Sequence, residues 1–206
     1  RERLDEGVRP VVVHSALVGV SNALIALLDT AVGGGDTEDK LAKIRAQHDS
    51  LARDLGVDPQ LFDERFAALG QVIAGIKLIG EVSPRVHARV LANGELAATE
   101  LGAAYLRASG LQVAWLDIRE YLESTTLRDQ TERARFISAR CEFSPDKGLQ
   151  QRFAALKGIV LSQGFIARNS QGETVLLGRG GSDTSGAYLA GKLEAPRLGI
   201  WADAPR

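Results

Sequence analysis

The sequence of 206 residues contains no methionine, one cysteine and three histidines. A lone cysteine, Cys141, cannot form a disulfide bond within the chain, and the segment Arg1–Pro10 is too charged to be the apolar core of a secretion signal. These two absences favour a reducing, cytoplasmic environment. Because methionine is missing even at position 1, we expect the parent protein to contain sequence upstream of Arg1.

Clusters of basic charge and long apolar runs are also missing. The 25 basic and 26 acidic side chains nearly cancel, and no block of basic residues provides the surface on which nucleic-acid affinity depends. No apolar run approaches the roughly 20 residues that span a bilayer. The three histidines lack the spacing of a zinc site, so no metal ligands are assigned. We therefore expect neither nucleic acid nor membrane as a partner.

Short apolar runs alternate with longer amphipathic segments along the chain. Such alternation predicts an α/β fold, a three-layer αβα sandwich with a mainly parallel central sheet. Strands are predicted at 10–14, 112–116, 134–138, 158–162 and 198–201, with a hairpin joining 165–167 to 175–177. Helices are predicted after an N-cap at Ser21, from Thr37 to about Leu55, after Pro59, from Pro84 to Gly110 and from Thr184 to Leu193. Residues 36–80 form a helical insertion in this scheme.

The glycine-rich segment Gly178–Asp183 is the strongest local signal for a ligand. Its glycines let a backbone approach a ligand closely, and the helix that follows presents free N–H groups to an anion. Arg179 adds a forked donor for a carboxylate or a phosphate, and Asp183 can orient a cation. The competing interpretation is a simple turn in which Asp183 caps the helix.

The segment Ser15–Ser21 is a second candidate anion loop. Small residues between a strand and a helix form a phosphate-sized cradle of backbone amides. Ordinary connections in α/β folds have the same composition, so the pattern is weak alone. A phosphate donor and an acidic acceptor are both anions, so a protein that binds the two together needs two such loops.

Glu95 is the third candidate, because it follows Gly94 inside an apolar helix. A helical glutamate is normally exposed to solvent. A glycine within a helix costs about 1 kcal/mol relative to alanine, which indicates that another group approaches this turn closely.

Taken in order, these motifs resemble the catalytic domain of the aspartate kinases, within the amino acid kinase family. The matching blocks are Ser15–Asn22, Asn93–Leu96, Gln163–Ala167 and Leu177–Thr184, and Ile200–Asp203 resembles the motif of a terminal strand. The resemblance covers nearly the whole chain. It implies one catalytic domain over residues 1–206, incomplete at both ends.

The resemblance also implies an activity and a set of site residues. The activity is transfer of the γ-phosphate of ATP, with Mg²⁺, to the side-chain carboxylate of L-aspartate, the first step towards lysine, threonine and methionine. The residues implied to bind the nucleotide are Ser15, Ala16, Gly19, Gly180, Gly181, Ala202 and Asp203. Those implied to bind aspartate are Ser21, Glu95, Phe165, Arg179 and Ser182, and those implied to act in the transfer are Asp183 and Arg179.

Three departures from the family pattern qualify this expectation. The family's opening Lys-Phe-Gly-Gly-Thr-Ser motif, whose lysine contacts the transferred phosphate, has no counterpart here, and Ser21 and Ala202 replace threonines. We therefore expect this polypeptide to be weakly active or inactive by itself, and the full-length parent to be a homo-oligomer. The alternatives are another amino acid kinase, such as a glutamate or acetylglutamate kinase, and a non-catalytic fragment that binds a nucleotide or an effector.

Overall fold

The computed structural model describes residues 2–126, 129–178 and 180–201. The strands are β1 (Val11–His14), β2 (Val113–Leu116), β3 (Ser124–Thr125), β4 (Arg140–Cys141), β5 (Ile159–Gln163), β6 (Ile166–Arg168) and β7 (Thr174–Leu176). The helices are α1 (Glu2–Asp5), α2 (Val20–Val32), α3 (Glu38–Asp54), α4 (Asp63–Ile79), α5 (Pro84–Ala108), α6 (Glu132–Ile137), α7 (Lys147–Ala154) and α8 (Gly181–Leu193). Two 3₁₀ turns lie at Pro59–Phe62 and Ile118–Glu120.

The central sheet has three parallel strands in the order β1-β5-β2. Val11 pairs with Val160 and His14 with Gln163, while Val113 on the other side pairs with Ile159. All five residues of β5 are buried, as expected for the middle strand of a parallel sheet. Because the strands are parallel, the segments that follow them emerge at one edge.

Helix α5 supports this sheet along its length. Ser83 caps its first turn by accepting a hydrogen bond from the Val86 N–H at 3.3 Å, and Pro84 occupies the favoured first position. The helix packs against β1, β2 and β5, and Gly102 leaves room there for Leu161. Helix α8 packs against β1 and α7. The predicted parallel sheet with flanking helices is confirmed.

The segment 36–80 contains α3, the 3₁₀ turn at Pro59–Phe62 and α4, which pack around a buried histidine. The ring of His48 lies edge-on to Phe62 and Phe66, with centroid distances of 5.4 and 5.5 Å. Its Nδ1 bonds to the Ile44 carbonyl at 2.8 Å, and its Nε2 has no partner among the described residues. Burial lowers the pKa of His48, so the imidazole is a neutral core group.

Two predicted strands are wrong. Residues 134–138 lie mostly in helix α6, and Thr131 caps the first turn of that helix. The short apolar run favoured a strand, although Thr131 indicates the start of a helix. Residues 198–201 form no strand, and Trp201 is 97% exposed. Without a neighbouring strand to pair with, an apolar run cannot satisfy its backbone groups as a strand.

Two helix starts also differ from prediction. Helix α2 begins at Val20 with Gly19, not Ser21, at its N-cap, and α8 begins at Gly181 instead of Thr184. Among the described residues, no helix is long and apolar enough to cross a membrane.

Candidate functional site

Three chain segments meet at the carboxyl edge of the sheet. They are the loop that follows β1, the turn that follows β5 and the first turn of α8. Gly164 donates its N–H to the carbonyl of His14 at 3.0 Å, which ties the first two segments together. The Ile166 N–H then returns to the Gly164 carbonyl at 2.8 Å and tightens the turn.

Two glycines allow α8 to approach this turn closely. A Cβ added to Gly164 would lie 2.6 Å from the Cβ of Ser182, and one added to Gly181 would lie 2.4 Å from Cδ2 of Phe165. Neither distance is possible for a real side chain. The motifs around Gly164 and Gly181 therefore pack directly against each other. Their close contact requires a glycine at both positions.

Phe165 is held in a strained conformation at this contact. Its φ of 66° is uncommon for a residue that is not glycine. Its N–H donates to Ser185 Oγ at 2.9 Å, and its carbonyl accepts from the Leu177 N–H at 2.8 Å. Ser185 in turn donates to the Gly181 carbonyl at 2.6 Å. Sequence reasoning missed Ser185, because a serine inside a helix carries no distinguishing signal.

The helices that open onto this edge, α2 and α8, share an unusual start. Each follows a glycine in the left-handed conformation, Gly19 with φ 80° and Gly180 with φ 71°, and no described side chain caps either helix. Ser83, Thr131 and Asp146 cap α5, α6 and α7, whereas α3 and α4 also lack a side-chain cap among the described residues. Among the described helices α2 to α8, the left-handed glycine is found only before α2 and α8. An uncapped helix N-terminus is suited to an anion, because its N–H groups and dipole both face outward.

Glu95 is buried beside the β1–α2 loop instead of lying on a solvated helix face. It is 3% exposed, and its Oε2 has no hydrogen-bond partner among the described residues. Burial raises the pKa of its carboxyl group to about 8, and a backbone hydrogen bond from Ala16 opposes this by less. Without a ligand, Glu95 is therefore largely protonated at neutral pH.

Because Gly94 has no side chain, α5 can approach the β1–α2 loop closely enough for Glu95 to reach it. An added Cβ at Gly94 would lie 3.1 Å from Val20 Cγ1 and 3.2 Å from Ala16 Cβ, so α5 packs there against both the loop and the start of α2. The close approach that the Gly94–Glu95 pair predicted is confirmed.

A buried hydrogen-bond network lies behind the site. Gln163, the last residue of β5, donates to Thr99 Oγ1 at 2.8 Å and accepts from the Ile118 N–H at 2.9 Å. Trp115 Nε1 also donates to Thr99 at 3.0 Å, and Thr99 bonds back to the Glu95 carbonyl at 3.0 Å. This network connects β5, β2 and α5 directly below Gly164 and Glu95. The polar end of an otherwise apolar strand was the available signal for Gln163.

The remaining predicted residues are distributed over the same edge. Ser15 and Gly19 are exposed on the β1–α2 loop, Ala16 is half-buried there, and Ser21 is half-buried in the first turn of α2. In the first turn of α8, Ser182 is half-buried and Asp183 is exposed. The predictions for Arg179, Ala202 and Asp203 lie outside the described residues.

The described residues contain no cluster of three His, Cys, Asp or Glu side chains that could hold a metal ion. Cys141 is buried, and burial raises the pKa of its thiol to about 12, so it is an inert core residue.

Comparison with known proteins identifies the family. The sequence profile of the amino acid kinase family matches residues 2–206. The chain belongs to the amino acid kinase family. Within that family it is similar to the lysine-sensitive aspartokinase 3 of Escherichia coli, with 32% identity over 98% of this chain and 43% of the relative. The aspartokinase of Chlamydia muridarum is 33% identical over 93% of this chain and 41% of the relative.

Solved structures show the same amino acid kinase fold. E. coli aspartokinase III in complex with lysine and aspartate gives a TM-score of 0.77 at 28% identity, over 99% of this chain and 45% of that one. The same enzyme with aspartate and ADP gives a TM-score of 0.73 at 27% identity, over 99% of this chain and 44% of that one. The predicted family and fold are confirmed, and the chain spans less than half the length of these relatives.

Proposed function

We propose that this chain is the catalytic part of an aspartate kinase, which transfers the γ-phosphate of ATP to the side-chain carboxylate of L-aspartate and forms 4-phospho-L-aspartate. The observation that carries the proposal is the buried carboxyl group of Glu95, with an unpaired oxygen, beside the β1–α2 loop. The N-termini of α2 and α8, which no described side chain caps, open onto the same edge of the sheet. A site with one buried acid and two anion-binding ends fits an amino acid and a nucleotide together.

Glu95 holds the ammonium group of aspartate in this proposal. An ammonium brings three N–H donors and a positive charge, which satisfy Oε2 and favour the ionised carboxylate. Binding therefore releases the proton that Glu95 carries in the free protein. The carboxylates of aspartate are held by Arg179 and by the first turn of α8 at Ser182, with Ser21 and Phe165 completing the pocket.

The phosphates of ATP occupy the backbone amides of the β1–α2 loop and the start of α8. The proposed contacts are Ser15, Ala16, Gly19, Gly180 and Gly181, with Ala202 and Asp203 near the nucleotide. Mg²⁺ is commonly held by phosphates with one or two carboxylates, and it neutralises charge on the transferred group. Asp183 is the one acidic residue in the described first turns of α2 and α8, so it fits that role.

The acceptor explains why a strong general base is not required. A side-chain carboxylate is already a nucleophile at neutral pH, so positioning and charge stabilisation supply most of the catalysis. The sequence lacks the Lys-Phe-Gly-Gly-Thr-Ser motif, and a cation on the transferred phosphoryl group is a major source of stabilisation. We therefore expect this chain to bind substrates but to turn over weakly or not at all. We further propose that the parent is a cytoplasmic homo-oligomer.

Paired ligands and paired variants test the role of Glu95. L-Aspartate and succinate differ by the ammonium group, and each is titrated calorimetrically into the wild type, Glu95→Gln and Glu81→Gln. Glu81 is an exposed control that precedes α5. We expect Glu95→Gln to weaken L-aspartate binding about tenfold or more, because it removes a charge-assisted hydrogen bond, and to leave succinate binding unchanged.

The same titrations can contradict the proposal. If Glu95→Gln weakens both ligands equally, Glu95 does not hold the ammonium group. If Arg179→Ala leaves both ligands bound as in the wild type, the carboxylate assignment is wrong. Tighter binding of L-glutamate or N-acetylglutamate than of L-aspartate would contradict the assignment of the substrate.

A further inference from the structure

A cavity of about 220 Å³ lies between α4, α5 and the 3₁₀ turn at Ile118–Glu120, outside the candidate functional site. Its polar lining is Arg65, Arg89, Asn93 and Arg119. Three guanidinium groups on one small cavity are an unusual concentration of positive charge. Nothing in the proposed aspartate kinase activity uses these side chains.

The charges of the cavity do not cancel. Arg65 forms a bidentate pair with Glu100, and Arg119 donates to Asp117 from Nε at 2.8 Å. Arg89 is exposed and has no ion-pair or hydrogen-bond partner for its side chain among the described residues. Three guanidinium groups against two carboxylates leave one net positive charge.

Hydrogen-bond donors remain as well. Arg65 uses Nε and Nη2 for Glu100, which leaves Nη1 without a partner among the described residues. A guanidinium has five N–H donors, so all five of Arg89 are also available. Donors of this kind form forked, charge-assisted hydrogen bonds with a carboxylate.

The other half of the lining is apolar. Leu69 and Val72 on α4 face Val90 and Leu96 on α5, and Leu69 and Leu96 are 3% exposed. A ligand that fits both halves has an anionic head for the arginines and a short aliphatic part for this wall. Inorganic phosphate would satisfy the donors but has no aliphatic part to contact the apolar wall.

This cavity is separate from the candidate aspartate site. Arg89, Asn93 and Leu96 are spaced by four and three residues, so they form one stripe on α5 that faces α4. Gly94 instead faces α2, and Glu95 interacts with the β1–α2 loop. The two sites therefore lie on different faces of the same helix.

We propose that the cavity binds a small aliphatic monocarboxylate, with its carboxylate on Arg89 and Arg65 and its alkyl group against Leu69 and Val72. The single uncompensated charge matches a monocarboxylate, and the volume accommodates a chain of a few carbon atoms. The ligand is held at the α4–α5 contact, beside the Arg65–Glu100 pair that joins the two helices.

Butyrate is the probe, and the measurement is a ¹H–¹⁵N NMR titration of the isotopically labelled chain. We expect saturable shifts of the Asn93 side-chain amide and of backbone amides around Leu69 and Leu96. Arg89→Ala should weaken binding about tenfold, the effect of one charge-assisted hydrogen bond. Arg53→Ala, a control at an exposed arginine on α3, should leave the titration unchanged.

A second variant and two further probes make the outcome decisive. Ala68 lies on the exposed rim, so Ala68→Glu should fold normally and abolish butyrate binding by placing a carboxylate among the arginines. Equal shifts with inorganic phosphate or with butanol would overturn the proposal, as would an affinity for butyrate that is unchanged in Arg89→Ala. Arg179→Ala should weaken succinate at the aspartate site and leave the butyrate titration unchanged, and this separates failure here from failure at the aspartate site.

Discussion

Glu95 shows how one residue's surroundings determine its chemistry. Its pKa is raised to about 8 from the ordinary 4.5 of a glutamate, chiefly by burial. Between these two values the folded chain holds a proton that the unfolded chain has lost. The free energy of unfolding should therefore fall as pH rises through this window, by up to about 1.4 kcal/mol per pH unit.

Glu95→Gln removes the titrating group while keeping the size of the side chain. We expect the contribution of Glu95 to the pH dependence to disappear, so that the variant gains stability relative to the wild type as pH rises from about 5 to about 8. Urea unfolding of both proteins across this range measures the difference. A constant difference at every pH would show that Glu95 keeps an ordinary pKa in the folded chain.

For single residues, the sequence predicts which residues belong to the site better than it predicts what surrounds each side chain. The neighbouring Gly94 indicated a close approach, but only the packing of Ala16 and Val20 against α5 shows that the carboxyl group is buried. Gln163 and Ser185 act through hydrogen bonds to Thr99 and Phe165, and the sequence does not reveal these distant partners.

Among the elements, α8 combines a constrained first turn with an ordinary helical interior. Gly181 lies against Phe165, whereas among the described residues a Cβ added to Gly186 would meet only Leu198 Cδ1, at 3.6 Å. The same substitution should therefore have opposite effects at the two positions.

We expect Gly181→Ala to destabilise the chain by about 1–3 kcal/mol, because the added methyl group overpacks the turn at Phe165. It should also weaken L-aspartate binding, since α8 must move away from that turn. Gly186→Ala should be neutral or stabilise the chain by up to about 1 kcal/mol, because alanine favours a helix. Denaturant unfolding and calorimetric titration of both variants test this, and equal effects at the two glycines would contradict it.

The elements themselves were predictable where a periodic pattern and a cap coincide. Helix α5, with Ser83 and Pro84 at its start, lies where the sequence placed it, and so does β5 to within a residue. The failures at 134–138 and 198–201 are short apolar runs, whose conformation depends on whether a strand is available to pair with them.

Across the whole molecule, the candidate site is assembled from four segments that are far apart in the chain. The loop after β1 and the turn at Gly164 lie side by side because the parallel strands β1 and β5 end at one edge. The Gly94 turn of α5 packs against that loop, and the start of α8 packs against the turn at Gly164. The resemblance to a family predicted which segments belong together. Their contacts follow from tertiary packing, as in the 2.6 Å separation between an added Cβ at Gly164 and Ser182, and sequence alone could not supply them.

In the proposed complex, L-aspartate binds at this edge with its ammonium group on Glu95. A crystal structure of the chain with L-aspartate and ADP tests it most directly. We predict the aspartate nitrogen within about 3 Å of Glu95 Oε2, and a carboxylate of aspartate at the first turn of α8. Aspartate bound elsewhere, or bound here with Glu95 Oε2 still unpaired, would contradict the account.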